Sequence, residues 1–169
     1  MHTLRVFGLS ILCGCPVGAN DTATPDPDTE AFVPTEGHWS YDSQETTVDT
    51  CDTHGEPRAG GFVLTVTGAA SFDLTTDEGY GTFTCALDGL VFLCDARRAW
   101  EEDFSDEGMD AVLYNLASAE GTFLASDRLE GTHTGQLGCD GADCDEAWAW
   151  MGVTPPCEVV VAFTMSADG

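Results

Sequence analysis

The 169-residue chain has no lysine, and its five basic side chains, all arginine, stand against 30 aspartates and glutamates, a formal charge of −25. Such a surface repels phosphate backbones and anionic headgroups, so nucleic acid is excluded as a partner. Solubility, with salt screening the self-repulsion, is the first reading of the charge; cation binding is the second. No apolar run is long enough to cross a bilayer as a helix. No segment sustains the 3.6-residue period of an amphipathic helix. Catalytic signatures are missing too. There is no Gly-x-Ser-x-Gly nucleophile elbow, no phosphate-cradling glycine loop and no histidine pair at i, i+4 spacing. His38, His54 and His133 read as surface or strand-end residues. A hydrolytic pair of acids cannot be singled out among so many carboxylates. On these grounds neither an enzyme activity nor a cofactor is expected.

What is present begins at the N-terminus. Met1 to Arg5 carries a positive charge, Val6 to Leu12 is apolar, and Leu12-Cys13-Gly14-Cys15 follows. This resembles the lipobox of bacterial lipoprotein precursors. The resemblance implies a signal peptide over 1–14, cleavage before Cys15, lipidation of Cys15 and a membrane-anchored domain in the cell envelope. Plain secretion, with cleavage after Ala19 behind Val17-Gly18-Ala19, is the alternative. Loss of Arg5 leaves four arginines against the same 30 acids, about −26. Residues 15–35 hold several prolines, many acids and few apolar groups, which predicts a disordered acidic tether. One β-domain over 36–169 remains, long enough to bury a core.

The domain reads as strands. Phe62 to Thr67 is rich in β-branched residues. Phe72 and Leu74 alternate with polar neighbours, as do Trp39 and Tyr41. Tyr80 to Leu87 and Leu90 to Cys94 flank Asp88-Gly89, a strong hairpin signal. Ala111–Ala117 and Gly121–Ala125 look like a further pair. Leu129 to Leu137 is rich in Thr and Gly and is expected at a bend or an edge. Cys157 to Met165 has the clearest β character. Arg97 to Phe104 has helix-forming residues, and Asp143 to Met151 predicts one short helix. The fold class expected is all-β: a single antiparallel meander of about eight strands, closed as a small barrel, with a β-sandwich as the alternative.

Both cleavage readings retain Cys51, Cys85, Cys94, Cys139, Cys144 and Cys157, an even set that reads as three disulfides in an exported chain. Closure places the end of the first strand beside the start of the last, which predicts Cys51–Cys157. Cys139–Cys144 would close a local loop, leaving Cys85–Cys94 across the hairpin. A two-residue Asp88-Gly89 turn sets Cys85 opposite Phe92. A four-residue turn from Asp88 to Val91 sets it opposite Cys94 and permits the bond.

Three features are candidate sites. Gly37-His38-Trp39 before a strand meander is similar to the Gly-x-Trp opening of lipocalin-like barrels, which implies a cup for a small apolar ligand, with Trp39 among its residues. Trp148-Ala149-Trp150-Met151 is either a lid over one barrel end or a contact surface for a glycan, peptide or apolar ligand. Asp140, Asp143, Asp145 and Glu146 supply oxygens of the type calcium takes, but EF-hand spacing is absent, and a solvated loop is the first reading. The reading that results is a monomeric, membrane-anchored lipoprotein whose domain is a non-catalytic binding or envelope-surface module for a small ligand or glycan. A small Asp/Glu- or metal-dependent hydrolase is the alternative, and a purely structural surface protein a third.

Overall fold

The computed structural model describes residues 31–52 and 60–169. Cys15, the segment around it and His54 lie outside the described residues. Eight strands follow in order: β1 (Gly37–Asp49), β2 (Gly61–Gly68), β3 (Ser71–Thr76), β4 (Thr82–Asp88), β5 (Val91–Asp103), β6 (Ala111–Ala125), β7 (Arg128–Gly141) and β8 (Glu158–Ala167). Each pairs antiparallel with the next, and β8 returns to β1, so the meander closes into a barrel. Closure explains how a Thr- and Gly-rich segment survives as β7, which is bonded on both sides, to β6 and β8, rather than standing at an edge.

Two segments depart from the sequence expectation. Ala111–Ala125 is one continuous strand, because β7 offers a partner along its whole length. Arg97–Asp103 is the second half of β5, not a helix. Its pairing with β6 through two register shifts supplies the backbone partners, and propensity yields to that tertiary demand. The one α-helix is α1 (Cys144–Met151), between β7 and β8. A short 3₁₀ turn, Ser105–Glu107, joins β5 to β6.

The strands differ in length, and the difference shapes the barrel. β2, β3 and β4 are short, whereas β1 and β5–β7 run to 13 residues or more. Beyond Ser40, β1 pairs with β8 alone; beyond Cys94, β5 pairs with β6 alone. Two buried clusters divide the inner volume. The larger joins Trp39, Phe62, Leu64, Phe72, Phe92, Phe123, Phe163 and Met165 with Cys85 and Cys94. The smaller, at the other end of β6, joins Phe104, Met109, Ala111, Leu113, Ala147 and Trp148.

The larger cluster is filled by rings. Phe123 stands 5.6 Å from Phe92, 5.7 Å from Phe72 and 6.0 Å from Trp39, centroid to centroid. Trp39 is 0% exposed, and its Nε1–H donates to the Thr35 carbonyl at 3.0 Å. Glycines make the space. A Cβ on Gly121 would lie 2.2 Å from the Glu130 carbonyl oxygen and 2.7 Å from Phe92 Cε1. Gly131 faces Gly121 across the ladder, and a Cβ there would meet Phe163 Cζ at 3.0 Å. The folded unit starts at Ala31, ahead of the boundary expected at residue 36. Phe32 is the cause: its ring sits 5.2 Å from Phe123 and extends the same aromatic stack.

Three disulfides join Cys51–Cys157, Cys85–Cys94 and Cys139–Cys144. Cys85 lies directly opposite Cys94 and Asp88 opposite Val91, so the hairpin turns at Gly89-Leu90 and not at Asp88-Gly89. Gly89 takes φ +60°, a left-handed conformation that glycine adopts without strain.

Candidate functional site

Trp148 and Trp150 part company in the structure. Both belong to α1, and two residues on a helix are about 200° apart around its axis. Trp148 turns inward at 7% exposure and packs in the smaller cluster with Phe104, Leu113 and Ala147. Trp150 turns outward at 61% exposure, its ring edge-on to Phe104 at 5.3 Å. Met151 beside it is also exposed. The segment is therefore a lid through Trp148 and a presented surface through Trp150.

The lid is held rigidly for so short a helix. Cys144 at its start is tied to Cys139 in β7. Gly152, at φ +72°, closes its C-terminus by donating its N–H to Ala149 O, and the Val153 N–H donates to Trp148 O. At the front, two aspartates cross-brace the β6 start and the helix start. The Asp110 N–H donates to Asp143 Oδ2 at 2.8 Å, and the Ala142 N–H donates to Asp110 Oδ2 at 3.3 Å.

That bracing decides the calcium candidates. Asp143 holds a backbone N–H. Asp140 accepts from Arg98 Nη2 at 2.5 Å, and Arg98 also donates to Glu101 at 3.2 Å and lies 3.7 Å over the Tyr114 ring. Asp145 and Glu146 occupy the first turn of α1, where acids suit the helix dipole. Among the described residues, no group of three His, Cys, Asp or Glu side chains converges as a metal site.

Trp39, the third predicted ligand residue, lies in the larger cluster, where rings occupy the space that the lipocalin-like resemblance would leave for a ligand. Two depressions open to solvent, each reaching side chains of the larger cluster: Leu129 and Met165 in the first, Phe163 in the second. The first, of about 340 Å³, is also lined by Asp42, Leu124, Arg128 and Ser166; the second, of about 370 Å³, is also lined by Ser43, Glu45, Glu130 and Thr132.

Two polar features escaped the sequence reading. His38 bridges two carboxylates: Nδ1 to Asp168 at 2.5 Å and Nε2 to Asp77 at 2.8 Å. The hydrogen bonds to Asp77 and then Asp168 raise the imidazole pKa, and His38 in turn lowers that of Asp168. The clasp ties β1 to the β3–β4 turn and to the chain's end; the Asp168 N–H also donates to the His38 carbonyl. The second feature is Asn115 on the inner wall of β6 between the two clusters. Its Oδ1 is buried without a hydrogen bond, beside Gly135, where a Cβ would come within 2.9 Å of it. No local pattern marks either feature, because each depends on strands far apart in sequence.

Comparison with protein-family models, with curated proteins and with solved structures returns no match.

Proposed function

We propose that this chain is an exported lipoprotein, anchored through Cys15, whose barrel is a non-catalytic recognition module presenting Trp150 and Met151 to a glycan or an apolar partner surface. The observation that carries the reading is the exposed Trp150 ring on a helix fixed by a disulfide, two aspartate braces and a buried Trp148. A large apolar ring held outward loses little entropy when a partner stacks on it. Three disulfides support an oxidising, exported setting. No helix among the described residues is long and apolar enough to cross a membrane; in this reading the acyl chains at Cys15 supply the attachment.

Position supports the same reading. Ala31, where the described chain begins, lies at the Phe123 end of β6, through Phe32. α1 lies at the Ala111 end. The strand between them spans roughly 40 Å at ~3.3 Å per residue. Trp150 thus lies far from Ala31, the residue through which an anchor at Cys15 would hold the barrel. The acidic surface favours neutral or cationic glycans over anionic ones.

The test is a titration of tryptophan emission with a neutral cello-oligosaccharide and a cationic chitosan oligosaccharide. Saturable quenching that Trp150→Ala abolishes, with the melting temperature nearly unchanged, is the expected result. Quenching that persists in Trp150→Ala, or no saturable response to either probe, would reject glycan stacking at this ring.

A further inference from the structure

The end of the barrel opposite α1 carries its own apolar surface. Val91 and Leu93 alternate on the outer face of β5, Leu90 stands in the adjoining turn, and Leu124 follows Phe123 on β6. The Phe123 N–H donates to the Leu90 carbonyl at 2.8 Å, which brings the two hairpin ends together. Val33 approaches the same end, since neighbouring Phe32 packs on Phe123 and the Thr35 N–H donates to the Ser126 carbonyl. These five side chains are 44–56% exposed in a protein whose surface is otherwise dominated by acids. Single exposed apolar residues need no explanation, but a group of them at one rim does.

We infer that this rim is a bilayer contact: Leu90, Val91, Leu93 and Leu124 rest on the membrane to which Cys15 is anchored. The inference rests on the lipoprotein reading and adds an orientation to it. The chain beyond the described domain singles out this occupant. Fifteen residues separate Cys15 from Ala31, a length that can reach no more than about 50 Å fully extended. Ala31, to which that segment is joined, lies beside the patch and not beside α1. A short tether keeps the rim at high effective concentration near the lipid, so a patch too small to bind vesicles unaided still docks. Charge has the opposite effect. Asp88 pairs with Val91, and Glu120 with Leu93, on the same outer face. The contact is therefore apolar, weakened by anionic lipid and strengthened by salt. Docked this way, the barrel directs Trp150 away from the membrane.

The experiment uses the full chain, isolated with its own N-terminus and reconstituted in phosphatidylcholine vesicles with brominated acyl chains. Mass spectrometry first establishes whether Cys15 is acylated. Tryptophan is then introduced as Val91→Trp and, at the opposite end, as Met151→Trp. The added emission of Val91→Trp should fall at least twofold in brominated vesicles, and that of Met151→Trp should not. Combining Val91→Trp with Leu124→Glu should restore the emission, as should anionic lipid at low salt. Acylated Cys15 with no preferential quenching at position 91 would overturn the docking and leave the anchor standing. An unacylated chain would overturn both. A dimer in sedimentation that Val91→Glu dissolves would give the patch to a second copy, and the inference would fall.

Discussion

Removing the Cys51–Cys157 bond tests how the barrel is held shut. The bond spans 106 positions, against 9 for Cys85–Cys94 and 5 for Cys139–Cys144. If a disulfide acts by limiting the unfolded chain, its contribution grows with the logarithm of the loop, to about 4–5 kcal/mol for the first bond and about 2 kcal/mol for the last. The first bond also sits where strain would show. The β1–β8 seam is interrupted by register shifts between Tyr41 and Ser43 and between Thr46 and Val48, and Cys51–Cys157 lies just past its last pair, Asp49 with Val159. Cys51→Ala/Cys157→Ala should therefore lower the unfolding free energy by about 4–5 kcal/mol and raise the denaturant slope, because the freed chain exposes more surface on unfolding. The assay is guanidinium unfolding without reductant, followed by tryptophan emission. Cys139→Ala/Cys144→Ala is the control, since its loop is short and its cysteines are only half-buried. Cys85–Cys94 is a poor control: both cysteines are fully buried in the larger cluster, so their loss adds a packing penalty to the entropic one, and the buried Cys51 and Cys157 add a penalty of the same kind to the first bond's entropic figure. If removing Cys51–Cys157 costs no more than removing Cys139–Cys144, the loop-closure reasoning is wrong for this protein.

Three further outcomes are expected. His38→Gln should destabilise most near about pH 5–6: the raised imidazole pKa gives stability that is present below its unfolded value near 6.5 and lost as pH rises through the folded value, while the lowered Asp168 pKa withdraws its share as pH falls through the acid range; a wild-type-minus-variant difference that grows above pH 8 in paired denaturant melts would contradict the clasp. Gly121→Ala should destabilise by about 1–3 kcal/mol or more, because the new methyl meets the Glu130 carbonyl oxygen and the Phe92 ring together; an unchanged guanidinium midpoint would show that the β6–β7 ladder gives way easily. Trp148→Ala should lose about 3–5 kcal/mol, from a buried ring in the smaller cluster, whereas Trp150→Ala should stay within about 1 kcal/mol by the same melts.

Strand positions were legible where the alternation was clean, as at Phe62–Thr67, Phe72–Leu74 and Cys157–Met165. Closure was expected because a meander of short strands must cover its edges, and the Cys51–Cys157 bond that follows from closure is present. Pairing was harder to see. Arg97–Asp103 carries helix formers and becomes strand only because β6 extends opposite it. Ala111–Ala125 reads as two pieces until β7 supplies a partner for all of it. Phe32 lies among prolines and acids, in composition part of a tether, yet its ring joins the Phe123 stack. In each case a distant segment decides the outcome, and local pattern does not contain it.

The candidate site shows the same division between local and distant information. Helical spacing alone separates Trp148 from Trp150 by about 200°, so the lid and the presented surface need not have been alternatives: one ring can serve each. Which ring turns inward depends on Phe104, Leu113 and Ala147, gathered from three elements. Trp39 reverses the lesson. A tryptophan opening a barrel suggests the floor of a cup, but the cup exists only if the opposite walls stay small. Here Phe72, Phe92 and Phe123 project to the same centre, and Gly121 and Gly131 let the walls close on them. A barrel filled in this way leaves its rigid apolar groups for any partner on the outside, and the proposed recognition surface is one of them. Among the described residues, Trp150 with Met151 and the Leu90–Leu93 rim with Leu124 lie at opposite ends of β6, and Ala31 lies beside only the second.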